Sequence, residues 1–401
     1  MGLISPQQVA SPAPRPARPR SLLVAATTTM VLLVLDSSIG GVLLPSISRE
    51  LGLSHAEQAW ALASYLIALA VLLPVGGRVA DRIGPVAGFR LGTVGFLAGS
   101  VAIGLARAPA VLIAGRVLAG AAAALLMPAT LAVLSRAFPA ADRPRAMAVY
   151  TGAGQAFAVV GPALGGLCAQ FADWRWAFLA NIPVGAAGLA LIRRAAPANL
   201  HQARGRAPGG LGLAPLRVRS FSAATGVLAA LGFAMTIATV YGAVSLQVAL
   251  GLNPAEGGLA MLPLVVPLLV ATRRVARCGA ALDLRRTGIR GALLLAAGSL
   301  GLGLGCAGAW LPVTAAAMVP AGVGIALLLS PMTTAALGSV PAGQRGQAGG
   351  LASTARQLGG VAGIALTTQL IGSAGERLGS ALAFTAAAVA MLGAVRAARA
   401  V

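Results

Sequence analysis

The chain has 401 residues, of which 58% are hydrophobic and only 10% are charged. Its mean hydropathy of +0.86 excludes an ordinary water-soluble domain. The formal net charge is +21, and all thirty basic residues are Arg. Apolar runs of about 20 residues, enough to cross a hydrocarbon layer of about 30 Å, recur along the chain. They predict a membrane protein built from helices, which satisfy their own backbone in lipid.

Twelve apolar runs predict twelve transmembrane helices. They cover residues 22–45, 58–77, 88–106, 109–135, 146–170, 176–192, 221–249, 254–272, 289–307, 311–337, 347–371 and 379–395. The expected fold is all-α, with two pseudo-symmetric six-helix bundles around a central cavity. The bundles are expected at 21–192 and 221–396, with a cytoplasmic linker at 193–220, a disordered Pro-rich tail at 1–20 and a short tail at 397–401.

The distribution of Arg predicts the orientation. With the N-terminus placed inside the cell, 24 Arg fall in cytoplasmic segments and four in outer loops, while Arg116 and Arg356 lie within helices. Cytoplasmic loops of membrane proteins carry an excess of basic residues. We therefore expect a multi-pass protein of the cell membrane with both termini in the cytoplasm. The same distribution argues against a nucleic-acid partner, because the basic residues lie where the topology requires them.

A repeated phrase indicates that the two halves are copies of one unit. LGLSHAE at 51–57 returns as LGLNPAE at 250–256. Three further residues return at a constant offset, namely Asp81, Gln155 and Gly161 as Asp283, Gln357 and Gly363. Parallel repeats of about 200 residues are typical of transporters with a central site. Chance similarity in a sequence rich in Ala, Gly and Leu is the alternative.

Both copies of the phrase predict the same start of a helix. Ser54 with Glu57, and Asn253 with Glu256, have the spacing of a capping box. Pro254 would then occupy the first helical turn, where its missing N–H is harmless. This structural explanation is sufficient, and we assign these residues no chemistry.

Energy-consuming or catalytic chemistry has no support in the sequence. A phosphate-binding Walker motif requires Lys, which the chain lacks. His55 and His201 lie outside the predicted helices and have no nucleophile or metal ligand near them in sequence. We expect neither an enzyme nor a metal site or bound cofactor.

Six strings follow one another in a recognisable order between about residues 30 and 370. They are VLDSSIGGVLLPSI at 34–47, GGRVADRIG at 76–84, GRVLAGAAAALLMPA at 115–129, GPALGG at 161–166, WRWAFLANIPVG at 174–185 and GGLASTARQLGGVAGIAL at 349–366. Together they resemble the major facilitator superfamily, and within it the drug:proton antiporters usually built with fourteen helices. The resemblance implies alternating-access transport of a small molecule, with the proton gradient as the energy source.

Two of the departures from that pattern bear on the helix count and on gating. Only residues 193–220 separate the halves, and no run there is long enough to span, so we expect twelve helices rather than fourteen. The second-half copy of the interhelix loop, GAALDLRRTG at 279–288, has two extra residues between Asp and Gly. That insertion would weaken gating.

Three intramembrane charges are the most informative residues. Asp36 and Arg116 are expected at similar depth, on two helices that line the central cavity in the family fold. An unpaired charge at a helix centre costs about 2.5–3.5 kcal/mol, so such residues should face one another or a wet cavity. We expect Asp36 to load and release a proton while Arg116 tunes its proton affinity. A fixed structural ion pair is the alternative.

Other residues are candidates for gating. Arg356, near mid-bilayer, is expected to line the cavity or act in gating. Asp81 and Arg82 form, by resemblance, a gate contact between the halves, with a solvated turn as the alternative. The full gating set is Gly77, Asp81, Arg82, Gly84, Gly161, Pro162, Gly165, Gly166, Arg356 and Gln357.

A weaker set of polar and aromatic residues could line the cavity, although helical spacing does not say which of them face lipid. It comprises Tyr65, Gln155, Asn181, Tyr241, Gln247 and Thr333. The expected function is proton-coupled export of amphipathic, drug- or antibiotic-like molecules by a monomer in the lipid bilayer. Uptake or exchange of a polar metabolite, and a non-transporting membrane sensor or decayed paralogue, are the alternatives.

Overall fold

A computed structural model describes residues 19–139, 142–196, 214–278, 283–341 and 345–399. Within these ranges the chain is almost entirely helical. The helices are α1 (Pro19–Leu51), α2 (His55–Ile83), α3 (Pro85–Gly104), α4 (Pro109–Ala137), α5 (Arg143–Phe171), α6 (Trp174–Leu179), α7 (Asn181–Ala195), α8 (Arg219–Thr236), α9 (Gly242–Val248), α10 (Pro254–Leu259), α11 (Leu262–Cys278), α12 (Leu284–Ala307), α13 (Leu311–Gly338), α14 (Arg345–Ala374) and α15 (Glu376–Ala398).

Some of the fifteen helices follow one another end to end, so that together they form twelve long helical segments, which we call rods. This number agrees with the twelve predicted apolar runs. Three rods are interrupted: α6 and α7 meet at Ala180, a π-helical turn at Ile237–Tyr241 joins α8 to α9, and α10 and α11 are separated by two residues. By length and apolarity, ten rods in the described part of the chain qualify as membrane spans. The other two rods are α14 and α5, and the described side chains of α5 include the apolar stretch Val160–Phe171.

Successive rods run in opposite directions, since most are joined by turns of a few residues. We call the end of the bundle where α1 begins the proximal end, and the end where α1 finishes the distal end. The predicted tail at 1–20 lies almost wholly outside the described residues, as do 197–213 of the predicted linker. Flanking that gap, α7 ends at Ala195 and a short 3₁₀ turn at Ala214–Arg217 leads into α8.

The two capping boxes are confirmed. The Glu57 backbone N–H donates to Ser54 Oγ at 3.3 Å, and the Ser54 N–H donates to Glu57 Oε2 at 2.9 Å. In the second copy the Glu256 N–H donates to Asn253 Oδ1 at 2.9 Å, and the Asn253 N–H donates to Glu256 Oε2 at 3.1 Å. Each pair satisfies backbone donors that the first turn of a helix leaves open. The repeated phrase therefore encodes the distal starts of α2 and α10.

The repeat is less regular at the proximal end. Asp81 lies within the last turn of α2, whereas its counterpart Asp283 caps α12 by accepting the Arg286 N–H at 3.0 Å. Residues 279–282 of the predicted second loop lie outside the described residues. The two related acidic residues thus have different structural roles.

Candidate functional site

The centre of the first half contains a buried ion pair. Arg116 Nη1 on α4 donates to Asp36 Oδ2 on α1 at 2.6 Å. Asp36 is 0% exposed and Arg116 is 6% exposed. The prediction that these two charges lie at similar depth is confirmed. Because each charge would be costly alone in the membrane, the contact explains how both are tolerated.

Arg116 is held by α2 as well as by Asp36. Its Nε donates to the Ala61 carbonyl at 3.1 Å, and its guanidinium carbon lies 4.7 Å from the centre of the Tyr65 ring. Ala61 and Tyr65 are one helical turn apart, so they present a carbonyl and an aromatic face on one side of α2. A planar guanidinium makes all three contacts at once, which a Lys ammonium does not.

A glycine on α4 permits this geometry. A Cβ at Gly120, one turn beyond Arg116, would meet the carbonyl oxygen of Tyr65, a backbone atom that does not move aside. Without a side chain there, α4 approaches α2 closely enough for Arg116 to reach both Ala61 and Asp36. Gly120 was not among the predicted site residues, although its position one helical turn from Arg116 could have identified it.

One oxygen of Asp36 differs from the other. Oδ2 accepts from Arg116, whereas Oδ1 is buried without a hydrogen-bond partner among the described residues. Buried carboxylate oxygens are normally hydrogen-bonded, because desolvation is otherwise uncompensated. Oδ1 is therefore the atom of the ion pair whose desolvation no described residue compensates.

Contacts between the two halves close the distal end above the ion pair. Gln247 Nε2 on α9 donates to the Val42 carbonyl on α1 at 2.9 Å. The Ala255 N–H at the start of α10 donates to Gln170 Oε1 on α5 at 3.0 Å. The π-helical turn also touches α1, where Gly41 packs against the Val240 backbone. Such turns are frequent at functional positions of helices.

The tightest distal contact is between α5 and α10. A Cβ at Gly166 would meet the carbonyl of Pro254, and a Cβ at Gly258 would meet the carbonyl of Pro162. The two backbones are thus in direct contact at both points, as small residues allow in membrane helices. Two predicted gating residues therefore lie in an interface between the halves. Two others, Gly161 and Gly165, lie about 100° around α5 from this interface and pack against Ser38 and Ile39 of α1.

Replacing Gly166 by Ala is expected to loosen this contact. Ala stabilises a helix by up to about 1 kcal/mol relative to Gly, so helix propensity alone predicts stabilisation. The Pro254 carbonyl leaves no room for the methyl group, and we expect the melting temperature of the purified protein to fall by several degrees. Gly152→Ala on the same helix, where no atom lies within 4 Å of the added Cβ, is the control and should not lower it. Equal melting curves for both variants would contradict the close contact.

A second distal cluster was not predicted. Arg175 Nη1, at the start of α6, donates to Glu50 Oε1 at 2.6 Å, and its Nη2 donates to the Ala106 carbonyl at 2.9 Å. Trp174 Nε1 donates to the other oxygen of Glu50 at 2.8 Å. The cluster ties the distal end of α1 to α6 and to the α3–α4 turn. The string that begins at Trp174 was noticed in the sequence, but its contacts depend on the three-dimensional arrangement.

Arg356 lies on the inner side of α14. The Arg356 backbone carbonyl packs against Gly232 of α8, and Thr354 Oγ1 donates to the Ala70 carbonyl of α2 at 3.2 Å. The exposed stripe of α14 runs through Leu358, Ala362 and Ala365. Two residues along a helix correspond to a rotation of about 200°, so Arg356 is nearly opposite Leu358. Its side chain is nevertheless partly exposed, on the side of α14 that faces away from this exposed stripe.

The predicted proximal gate residues surround the turn between α2 and α3. Gly84 joins the two helices with a φ of +87°, a conformation that favours Gly. Asp81 is partly buried and Arg82 is exposed. Among the described residues neither forms an ion pair. Gly77 faces Pro128 of α4 at the distance of ordinary contact. Their role in gating stays a prediction.

The predicted cavity residues occupy several different environments. The Tyr241 hydroxyl is 2.7 Å from Thr368 Oγ1 and bonds the α14 backbone at Ile364. Asn181 Nδ2 donates to Ser100 Oγ at 3.1 Å, between α7 and α3.

Thr333 Oγ1 donates to the Leu329 carbonyl of its own helix at 2.6 Å. Gln357 is buried beside Arg356. The side chain of Gln155 lies outside the described residues.

Twelve helical rods, ten of which in the described part of the chain are long and apolar enough to span a membrane, define a multi-pass membrane protein. The family model described as the Major Facilitator Superfamily matches residues 26–364. The chain therefore belongs to the Major Facilitator Superfamily.

Its relatives include drug-resistance and export proteins. It is 29% identical over 416 residues to the tetracenomycin C resistance and export protein of Streptomyces glaucescens, covering 89% of this chain and 76% of that protein. It is 29% identical over 393 residues to the putative multidrug resistance protein MdtD of Yersinia pestis (strain Pestoides F), covering 84% of each. Among solved structures, a D-xylose–proton symporter superposes with a TM-score of 0.76 over 95% of this chain and 99% of that one, at 16% identity. At that identity the likeness shows the fold alone.

Proposed function

We propose that this protein exports small amphipathic molecules in exchange for protons, by alternating access and with no cofactor beyond the proton gradient. The observation that carries the proposal is the Asp36–Arg116 pair. It places one ionisable carboxyl group, with one unpartnered oxygen, inside the membrane-spanning part of the protein. The names of the two relatives favour export of drug-like molecules.

The mechanism uses the ion pair as a proton carrier. With the distal contacts separated, Asp36 would meet the proton-rich outer side and take up a proton on Oδ1. With the distal contacts closed, as here, the proton would leave toward the proximal side. Arg116 keeps the site from carrying an unpaired negative charge in either step, because it is fixed by Ala61 and Tyr65 independently of Asp36.

The energy available from one proton is sufficient for strong export. A tenfold proton gradient is worth about 1.4 kcal/mol, and 100 mV adds about 2.3 kcal/mol per charge moved. One proton per cycle could therefore sustain a substrate gradient of several hundred-fold for a neutral molecule.

The orientation proposed is the one in which the proximal end faces the cytoplasm. The excess of Arg in the proximal segments supports it. Both termini would then be cytoplasmic and the protein would lie in the cell membrane. A monomer is sufficient for the mechanism, since both halves belong to one chain.

Everted membrane vesicles test this function. Vesicles from cells that produce the protein should take up at least one probe from a panel of neutral, cationic and anionic fluorescent amphiphiles when respiration acidifies their interior. A protonophore should abolish the uptake, and vesicles without the protein should show none. Uptake that is insensitive to the protonophore would favour facilitated exchange, and no uptake of any probe would favour a non-transporting sensor.

A further inference from the structure

We propose that Arg356 binds an anionic group of the transported molecule, so that the preferred substrates are amphiphiles with one acidic group ionised near neutral pH. This inference rests on the proposed transport function and specifies the substrate class. Its starting point is the Arg356 side chain, which forms no hydrogen bond or ion pair with any described residue although it lies on the side of α14 that faces away from the exposed stripe.

None of the acidic side chains, all of which belong to described residues, pairs with Arg356. The chain has nine acidic residues in all. Eight of them lie in loops or within the terminal turns of helices: Glu50, Glu57, Asp81, Asp142, Asp173, Glu256, Asp283 and Glu376. The ninth, Asp36, already pairs with Arg116. Asp81 lies near the proximal end of α2, eleven residues beyond Ala70, the residue that Thr354 contacts. That separation corresponds to about 16 Å along the helix.

The position of Arg356 fits a ligand site between the halves. Thr354, two residues before it, bonds Ala70 of α2, which is nine residues beyond the Ala61 carbonyl that holds Arg116. Arg356 therefore lies about 10 Å closer to the proximal end than the ion pair. Gly360, one turn further along α14, packs near Leu66 of α2 and Thr236 of α8. Arg356 thus lies on the part of α14 where helices of both halves meet, below the closed distal end.

The chemistry of the site selects the ligand. A guanidinium donates two parallel hydrogen bonds to a carboxylate or to a similar pair of oxygens, and such charge-assisted bonds are stronger than neutral ones. Among the neighbours of this part of α14, Leu66 supplies apolar surface, and Thr236 and Thr354 supply hydroxyl groups. An apolar body with a single carboxylate, enolate or similar anion would pair Arg356 and bury its remaining surface. A permanently cationic amphiphile would instead be repelled.

The test uses anthraquinone-2-carboxylate and its neutral isostere anthraquinone-2-carboxamide. Binding is measured by equilibrium dialysis with the purified full chain, and transport is measured in everted vesicles. We expect the wild type to bind the carboxylate at least tenfold more tightly than the carboxamide. Arg356→Gln should remove most of that preference and leave carboxamide binding within about twofold, and Arg356→Lys should be intermediate. Arg377→Gln, an exposed Arg at the start of α15, is the control and should behave as wild type.

The outcomes separate this inference from the transport function. A carboxylate preference that depends on Arg356, without proton-driven uptake, would support the anion site and contradict the exporter. Proton-driven uptake of both probes at equal rates, with equal binding, would overturn the anion site and leave the exporter. If Arg356→Gln does not elute as a folded monodisperse protein, the wild-type probe pair and Arg356→Lys decide the question.

Discussion

Asp36→Asn is expected to abolish proton-driven accumulation while leaving exchange down a substrate gradient. The amide keeps the size of the carboxyl group and can still accept a hydrogen bond from Arg116, but it does not take up or release a proton. One coupling proton could support a substrate gradient of several hundred-fold, and without it we expect no substrate gradient to form. The measurement is accumulation of a transported probe in reconstituted vesicles after a pH jump.

The control for Asp36→Asn is the exchange rate measured without a gradient. Exchange at a wild-type rate shows that the variant is folded and binds the probe. Asp142→Asn, which alters an exposed carboxylate just before α5, serves as a matched substitution outside the ion pair. If Asp36→Asn accumulates the probe as the wild type does, proton coupling belongs to another group.

Arg116→Met is expected to cause the largest loss of stability. Removing one partner of a buried ion pair leaves an uncompensated charge, which typically costs about 3–5 kcal/mol. Asp36 has no exposed surface, and its other oxygen has no hydrogen-bond partner among the described residues, so nothing nearby replaces Arg116. We expect a marked fall in yield and in the melting temperature of the purified protein.

A double substitution separates loss of the pair from loss of packing. Asp36→Asn with Arg116→Met leaves no unpaired charge and should recover much of the stability, without recovering proton coupling. Arg116→Lys keeps a positive charge but loses the fork that joins Ala61, Asp36 and the Tyr65 face, and should be intermediate. A single Arg116→Met variant as stable as the wild type would show that the ion pair does not hold α1 to α4.

Much of the fold was predictable because its signals are local. Helix positions follow from apolar runs long enough to span, and the starts of α2 and α10 follow from side chains three residues apart. The Asp36–Arg116 pair was also predictable, because both residues were expected at similar depth in the membrane. Charges within a membrane need partners, and few other charged residues lie within the helices. These arguments require only distances along a helix.

The site beyond the ion pair was not predictable in the same way. Helical spacing shows which residues share a face but not which neighbour that face meets. Gln247 was predicted as a cavity residue, and the structure shows that it bonds the Val42 backbone across the halves. Gln170 joins α5 to α10 through a backbone N–H, which no side-chain pattern reveals. That no described acidic residue pairs with Arg356 became evident only when Asp36 was seen to pair with Arg116.

Infrared difference spectroscopy tests most directly the central claim that Asp36 changes its protonation state. Spectra of the lipid-reconstituted protein are recorded at several pH values for the wild type and for Asp36→Asn. We expect the wild type to show the C=O stretch of a membrane-buried carboxylic acid on acidification, and this band to be absent from Asp36→Asn. Identical difference spectra for the two proteins would mean that Asp36 stays ionised beside Arg116, and would reduce the pair to a structural contact.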